Sequence, residues 1–293
     1  MIFFSHVTIL AANVSIMVTI KLSHSLHTPM YFFLCGLSFS GNCTTMAIIS
    51  CMLVDLLSDS KTISLISLPE CATQMFFFFG SAANNCFIMA AMSYDYYTAI
   101  HNPLHYRILM THKICSQFIM ASWMVSLCVV IIVFNLSFCD SNIIQHFFCD
   151  ISPVVCLACD HTSRQERAIF VLSAFVLVGS FVFITMSYVF IVSTVVKMPS
   201  AQGRYKAFST CSSQLTVVCI HYGFAGFVYL TPRDRDSLRE DMLMAVTFTV
   251  LTPLLSPIVY SLRNKEMQMA LRKVLGKTDT LIPQMVNKRT PDA

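Results

Sequence analysis

Two short runs carry residue types that could act together chemically. His146-Phe147-Phe148-Cys149-Asp150 and Cys156-Leu157-Ala158-Cys159-Asp160-His161 bring histidine, aspartate and cysteine close along the chain. A C-x-x-C element flanked by histidine can hold zinc through thiolate and imidazole ligands. In an oxidising compartment the same cysteines would form disulfides, and a cysteine used that way cannot bind metal. Elsewhere such residues are sparse. Within the expected membrane spans and at their ends only His6, Asp55, Asp95 and His221 titrate readily. No HExxH or GxSxG string occurs, so the common motifs of a metalloprotease or an esterase lend no support. The compartment of the cysteines, and hence the topology of the chain, decides their chemistry.

The elements that must position these residues follow from the distribution of charge. Of 293 residues only 12% are Asp, Glu, Lys or Arg, against about 25% in a soluble domain. Seven stretches of 20 or more residues contain none: Met1–Ile20, Leu22–Val54, Cys71–Tyr94, Ile114–Cys139, Ala168–Val196, Ala207–Pro232 and Met242–Leu262. A helix of about 20 apolar residues crosses a bilayer core of roughly 30 Å, so each stretch is expected to span the membrane. The fold class read from this pattern is an all-α, seven-helix membrane bundle.

Seven spans put the termini on opposite faces. With the N-terminus outside, the inner loops and tail hold 13 of the 19 basic residues and only four of the 15 acidic ones. The inner face then nets +9 and the outer face −5, which is the orientation that the positive-inside rule selects. The mild overall basicity is thus a difference between two faces, not a nucleic-acid patch. Met1–Ile20 has no basic residue ahead of its apolar run and no small-x-small cleavage site, so it reads as the first span, not as a secretory signal. Cys71, Cys139, Cys149, Cys156 and Cys159 fall on the outer, oxidising side, which favours disulfides over zinc. No metal or other cofactor is expected.

Asp55 and Asp95 lie near span ends, not at mid-membrane, which weighs against an ion-coupled transporter or a charge-lined channel. His221, in apolar surroundings, reads first as a hydrogen-bonded core residue. The second helix is expected from Pro29 to Leu57, since proline is tolerated at a helix start. Pro253 and Pro257 should loosen the last span. After Leu262, a short amphipathic eighth helix should lie on the inner surface. It would bury Met267, Ala270, Leu271, Val274 and Leu275 and offer Lys265, Arg272 and Lys273 to headgroups. Residues 1–275 then form one membrane domain, and 276–293 a disordered cytoplasmic tail.

Several strings resemble the olfactory receptor branch of the rhodopsin-like G-protein-coupled receptors. Leu26-His27-Thr28-Pro29-Met30-Tyr31-Phe32-Phe33-Leu34 is similar to the family's entry into helix 2. Met92-Ser93-Tyr94-Asp95-Tyr96-Tyr97-Thr98-Ala99-Ile100, with Asn102-Pro103-Leu104-His105-Tyr106, resembles its helix 3 exit. Lys206-Ala207-Phe208-Ser209-Thr210-Cys211-Ser212-Ser213 looks like its helix 6 entry, and Pro257-Ile258-Val259-Tyr260-Ser261-Leu262-Arg263-Asn264-Lys265 like its helix 7 exit. The motifs occur in order along nearly the whole chain.

The resemblance implies partners for the outer cysteines: Cys71 with Cys149, and Cys139 with Cys159, leaving Cys156 over. It implies a pocket for a small odorant between helices 3, 5 and 6. Aligned from the motifs, that pocket is expected to use Phe78, Phe79, Ala82 and Ala83 of helix 3. Helix 5 would add Leu172, Ser173 and Val176, and helix 6 Ala225, Gly226 and Tyr229. Such a cavity is apolar with few polar handles, Ser173, Tyr229 and His221, and suits a volatile hydrophobe carrying one hydrogen-bonding group. On the inner side Asp95, Tyr96, Tyr188, Lys206 and Tyr260 are expected to border the G-protein cleft. The implied partners are the odorant, a stimulatory heterotrimeric G protein that raises cAMP, and membrane lipid, with no enzymatic activity and no nucleic acid.

Four positions depart from the family's signalling pattern. Gly41 and Asn85 stand where acidic residues are expected, Ser256 where asparagine precedes Pro257, and Tyr96 where arginine follows Asp95. With Asn13, three of these belong to one mid-membrane polar cluster. Without its carboxylates that cluster should not hold sodium, because a hard cation needs anionic oxygen ligands. A tyrosine offers neither the charge nor the planar donor fork of arginine. Two other functions are therefore carried beside the receptor: a folded, weakly or non-signalling binder, and a small-molecule transporter.

Overall fold

The computed structural model describes residues 2–57, 65–102, 106, 111–136, 143–145, 149, 154, 163–230, 259 and 266–274. These contain six long helices: α1 (Ile2–Leu22), α2 (Pro29–Leu57), α3 (Leu68–His101), α4 (His112–Phe134), α5 (Ser163–Val196) and α6 (Ala201–Leu230). They fall on six of the seven charge-free stretches. The seventh, with Pro253 and Pro257, lies outside the described residues except for Val259. The 21 residues of α1 and 23 of α4 give lengths of about 31 and 34 Å at ~1.5 Å per residue, close to the apolar thickness of a bilayer. α3 and α5, with 34 residues each, are long enough to project past it.

Burial separates the helices into a hub and a shell. α3 packs against α2, α4, α5 and α6 and is largely buried. α4 turns Met120, Met124, Leu127 and Ile131 outward, and α5 turns out Phe170, Phe175, Val178 and Val182. Apolar surface that continuous needs a lipid solvent.

The driving force between helices in lipid is close packing and interhelical hydrogen bonding, not exclusion of water. The contacts of α3 follow that rule. A methyl group added to Gly80 would lie 2.5 Å from two ring carbons of Trp123, and one added to Gly36 would lie 2.8 Å from Ile88. Serines then reach across the narrow seams. Ser40 of α2 donates to the Ser81 carbonyl at 3.1 Å, and Ser126 of α4 to the Phe76 carbonyl at 2.6 Å. Asn84, fully buried, donates to the Gly36 carbonyl at 3.3 Å and accepts from Ser122 at 3.1 Å, joining α2, α3 and α4.

At the outer end, the end of the bundle expected to face outward, two short strands add to the all-helical pattern. β1 (Leu65–Ser67) pairs antiparallel with β2 (Ile143–Gln145), Ile66 opposite Ile144. α3 starts directly after β1. Glu70 accepts from the Ser67 amide at 3.1 Å and from its hydroxyl at 2.7 Å, and Pro69 sits in the first turn. The carboxylate thereby satisfies a donor that the helix start leaves open.

At the inner end, residues 266–274 are helical. Met267 and Ala270 enter the core that contains Tyr31 and Phe33 of α2, and the Tyr31 hydroxyl donates to Glu266 Oε2 at 3.1 Å. Leu275 and the tail 276–293 lie outside the described residues.

Candidate functional site

Three levels along α3 carry the residues singled out from the sequence. At the outer level a disulfide joins Cys71 to Cys149, with their Cα atoms 5.4 Å apart. Both cysteines are fully buried in an apolar cluster with Met75, Val129, Val133, Val154 and Ile169. Gln74, one turn below Cys71, accepts from the Cys149 amide at 2.9 Å and donates to the Ala47 carbonyl at 3.4 Å. One side chain therefore ties the loop to both α3 and α2. Its position, three residues after a bridging cysteine on the same helical face, was a signal in the sequence that went unused. Cys139, Cys156 and Cys159 lie outside the described residues.

At the middle level α3 and α5 approach each other, and α6 closes on them. Phe79 and Leu172 both pack on the cluster beneath the disulfide. Phe78 is buried and meets Phe79 edge-on, with ring centroids 5.3 Å apart. One turn further in, Ala83, Cys86 and Val176 form a second cluster flanked by Phe87, Leu177 and Tyr222. Ala82 is half-buried and Ser173 exposed, so Ser173 belongs to neither cluster. The α6 backbone runs through Ala225, Gly226 and Tyr229, whose side chains lie outside the described residues.

Two polar groups at this level, Ser180 and Tyr222, were not among the residues that the sequence singled out for the pocket. The hydroxyls of Ser180 on α5 and Tyr222 on α6 are 2.7 Å apart. Buried His221 places Nε2 3.6 Å from the Cys86 sulfur, which is the core-histidine arrangement expected for it. Ser180 continues the stripe of Leu172, Ser173 and Val176 by one turn, and Tyr222 continues that of Ala225, Gly226 and Tyr229. Following each stripe one turn inward would have found both.

At the inner level Asp95 is buried and accepts from the Tyr106 hydroxyl at 2.8 Å. Burial, with the Asp95 charge beside it, raises the Tyr106 phenol well above its ordinary pKa, so it remains the proton donor. Tyr96 is also buried, and its hydroxyl points to the Met30 sulfur at 3.4 Å. The ring thus turns toward the first turn of α2.

Among the described residues, fully buried Gln214 joins α6 to α3 by two hydrogen bonds. Its Nε2 donates to the Met89 carbonyl at 2.9 Å and to Ser93 Oγ at 3.1 Å, and its Oε1 accepts from the Tyr188 hydroxyl at 3.2 Å. Tyr188 also reaches the Cys211 carbonyl at 3.4 Å. A single amide therefore joins α3, α5 and α6 with both ends of its side chain in use. The Lys206 side chain, Tyr260 and Ser256 lie outside the described residues. In the expected mid-membrane cluster, Asn85 is half-buried, and the Gly41 carbonyl accepts from Thr45 within its own helix at 2.7 Å. Asn13 donates to the Ile9 carbonyl at 3.0 Å.

Similarity to known proteins agrees with this layout. The olfactory receptor family profile matches residues 2–278. Olfactory receptor 10J4 of Homo sapiens is 50% identical over 276 residues, which is 93% of this chain and 88% of that protein. Olfactory receptor 10R2 of Homo sapiens is 50% identical over 282 residues, covering 95% and 83%, and Olfactory receptor 10Z1 is 50% identical over 277, covering 92% and 88%. A match of that extent places all seven apolar stretches in one fold, and the chain belongs to the olfactory receptor family of seven-transmembrane proteins.

Proposed function

We propose that this chain is an odorant receptor of the plasma membrane, with its N-terminus outside and its C-terminus in the cytosol. It binds small hydrophobic volatile molecules and raises cAMP through a stimulatory heterotrimeric G protein. The observation that carries this reading is the meeting of Ala83 and Cys86 of α3, Val176 of α5 and Tyr222 of α6 directly below the disulfide-held loop. An odorant seated there would touch three helices at once. The apolar walls give affinity, while the Ser180 and Tyr222 hydroxyls offer a hydrogen bond to a carbonyl or alcohol.

Signalling then is a shift of population. A ligand can favour the active arrangement only by binding it better than the resting one. The Gln214 contacts hold the inner half of α6 against α3 and α5, and outward movement of α6 must break at least the bonds to Met89 and Ser93. Asp95, Tyr188, Lys206 and Tyr260 border the cleft that this movement opens.

Tyr96 supports a second reading, a receptor that binds odorant but couples weakly. It carries no charge, and its hydroxyl is engaged with Met30. An epitope-tagged chain tested against a panel of small hydrophobic odorants, with odorant binding, cAMP and surface staining read together, separates the two. A cAMP rise that Ala83→Trp removes supports the receptor. Odorant binding at full surface level without any cAMP rise identifies the weakly coupling binder.

A further inference from the structure

We infer that the inner half of the α1–α2 interface is a binding site for an anionic phospholipid, with an acyl chain in the groove and the phosphate at Lys21. A cavity of about 590 Å³ opens there, lined by Val14, Met17, Val18 and Lys21 of α1 and Phe32 and Cys35 of α2. Its size falls within the range of roughly 300–1,000 Å³ seen for small-molecule sites. Ile20 and Leu26, both buried, form its floor. At the deep end the Asn42 amide reaches the Met17 sulfur at 3.8 Å. The groove is open on one side, where Val14 is 49% and Val18 43% exposed. An occupant therefore enters from the bilayer, not from water, and its tail meets an apolar wall.

The head of the groove has the opposite character. Lys21 lies in the last turn of α1, where a cation also complements the helix dipole. His27 turns back and places its Nε2 3.1 Å from the Ile20 carbonyl, which fixes the loop beside it, and Thr28 adds a hydroxyl to the rim. From Val14 to Lys21 is about 10 Å along the helix at ~1.5 Å per residue, a distance that stays within one leaflet. A negative headgroup over an apolar tail matches this polarity, and a neutral sterol leaves Lys21 without a counterpart. Anionic lipids concentrate in the cytoplasmic leaflet. The leaflet assignment rests on the orientation proposed above, whereas the groove and its charge do not.

The test uses the full chain in symmetric phosphatidylcholine nanodiscs doped with trace photoactivatable phosphatidylserine or phosphatidylcholine of the same acyl chains. Crosslinks are then mapped by peptide. Labelling should fall within residues 14–35 and favour phosphatidylserine about fivefold, the factor that one lysine's attraction to an anionic headgroup supplies. Lys21→Gln should remove that preference, Lys21→Arg should keep it, and Val18→Trp should lower labelling by both lipids. Lys21 is exposed, so its replacement tests the headgroup contact without disturbing the fold. Equal labelling by the two lipids in the unaltered protein overturns the proposal. So do crosslinks outside 14–35, or a sterol photoprobe that labels the groove regardless of Lys21. An N-terminal epitope reachable only from the cytosol would refute the orientation, while the nanodisc result would stand.

Discussion

The two ends of α3 are held in different ways. At the outer end the loop bearing Cys149 is bound by a covalent bond, by Gln74 and by strand pairing between β1 and β2. At the inner end the described polar ties of α6 to α3 and α5 are neutral hydrogen bonds, those of the buried Gln214 amide and one from the Tyr188 hydroxyl to the Cys211 carbonyl. Covalent and backbone ties persist through a conformational change. A neutral hydrogen bond contributes only about 0.5–1.5 kcal/mol net, so a few of them can be exchanged within the energy that a ligand provides. The difference suits a molecule whose outer end keeps the shape of a pocket while its inner end moves.

The largest expected effect breaks the outer end. Cys71→Ser removes a crosslink between residues 78 apart in sequence, and a disulfide of that kind is worth about 2–4 kcal/mol. Surface staining and the thermal midpoint of the purified protein should both fall. Next, Ala83→Trp overfills the junction of α3, α5 and α6 at a cost of about 1–3 kcal/mol. Odorant-evoked cAMP should disappear while the surface signal largely remains.

The inner end is broken by Gln214→Leu. It removes one of the acceptors of the Tyr188 hydroxyl and two bonds from α6 to α3, destabilising the resting arrangement by about 1–3 kcal/mol. If the active arrangement does not use these bonds, its population rises, by about tenfold for each 1.4 kcal/mol, and basal cAMP should increase. The smallest effect is expected from Tyr96→Arg. It offers a cation next to buried Asp95 and should raise the evoked response without changing surface level. A Tyr96→Arg protein that signals no better than the unaltered chain would show that the tyrosine is not what limits coupling.

How much of this was legible in the sequence varied with the kind of force involved. The absence of charge over stretches of bilayer length located the helices, because every backbone polar group in lipid must be satisfied within a helix or a closed barrel. α2 starts at Pro29 and ends at Leu57 as expected. Phe79 with Leu172 and Ala83 with Val176 were legible only through the family resemblance, which supplied the alignment from which helical periodicity could be counted, and the structure brings each pair to a common cluster. Less visible were the residues whose role depends on rotation and depth. Gln214, Gln74 and Ser180 are ordinary polar residues in sequence, and only the packing of three helices shows which carbonyls and hydroxyls they reach. The strand pair was also missed, since three-residue strands leave almost no periodic trace. Asn85 was expected in a mid-membrane polar cluster with Ser256, which lies outside the described residues, while its neighbour Asn84, not singled out, faces the α2–α4 seam and carries the interhelical bonds. One residue along a helix is about 100° of rotation, so small differences in helix orientation decide such assignments.

The contrast between a fixed outer end and a releasable inner end is tested most directly by basal cAMP in Gln214→Leu and Gln74→Leu receptors compared at matched surface level. Gln214→Leu should raise basal cAMP above the unaltered receptor, while Gln74→Leu should leave it unchanged and weaken only the response to odorant. Basal cAMP unchanged in Gln214→Leu, or raised equally by both substitutions, would contradict the account.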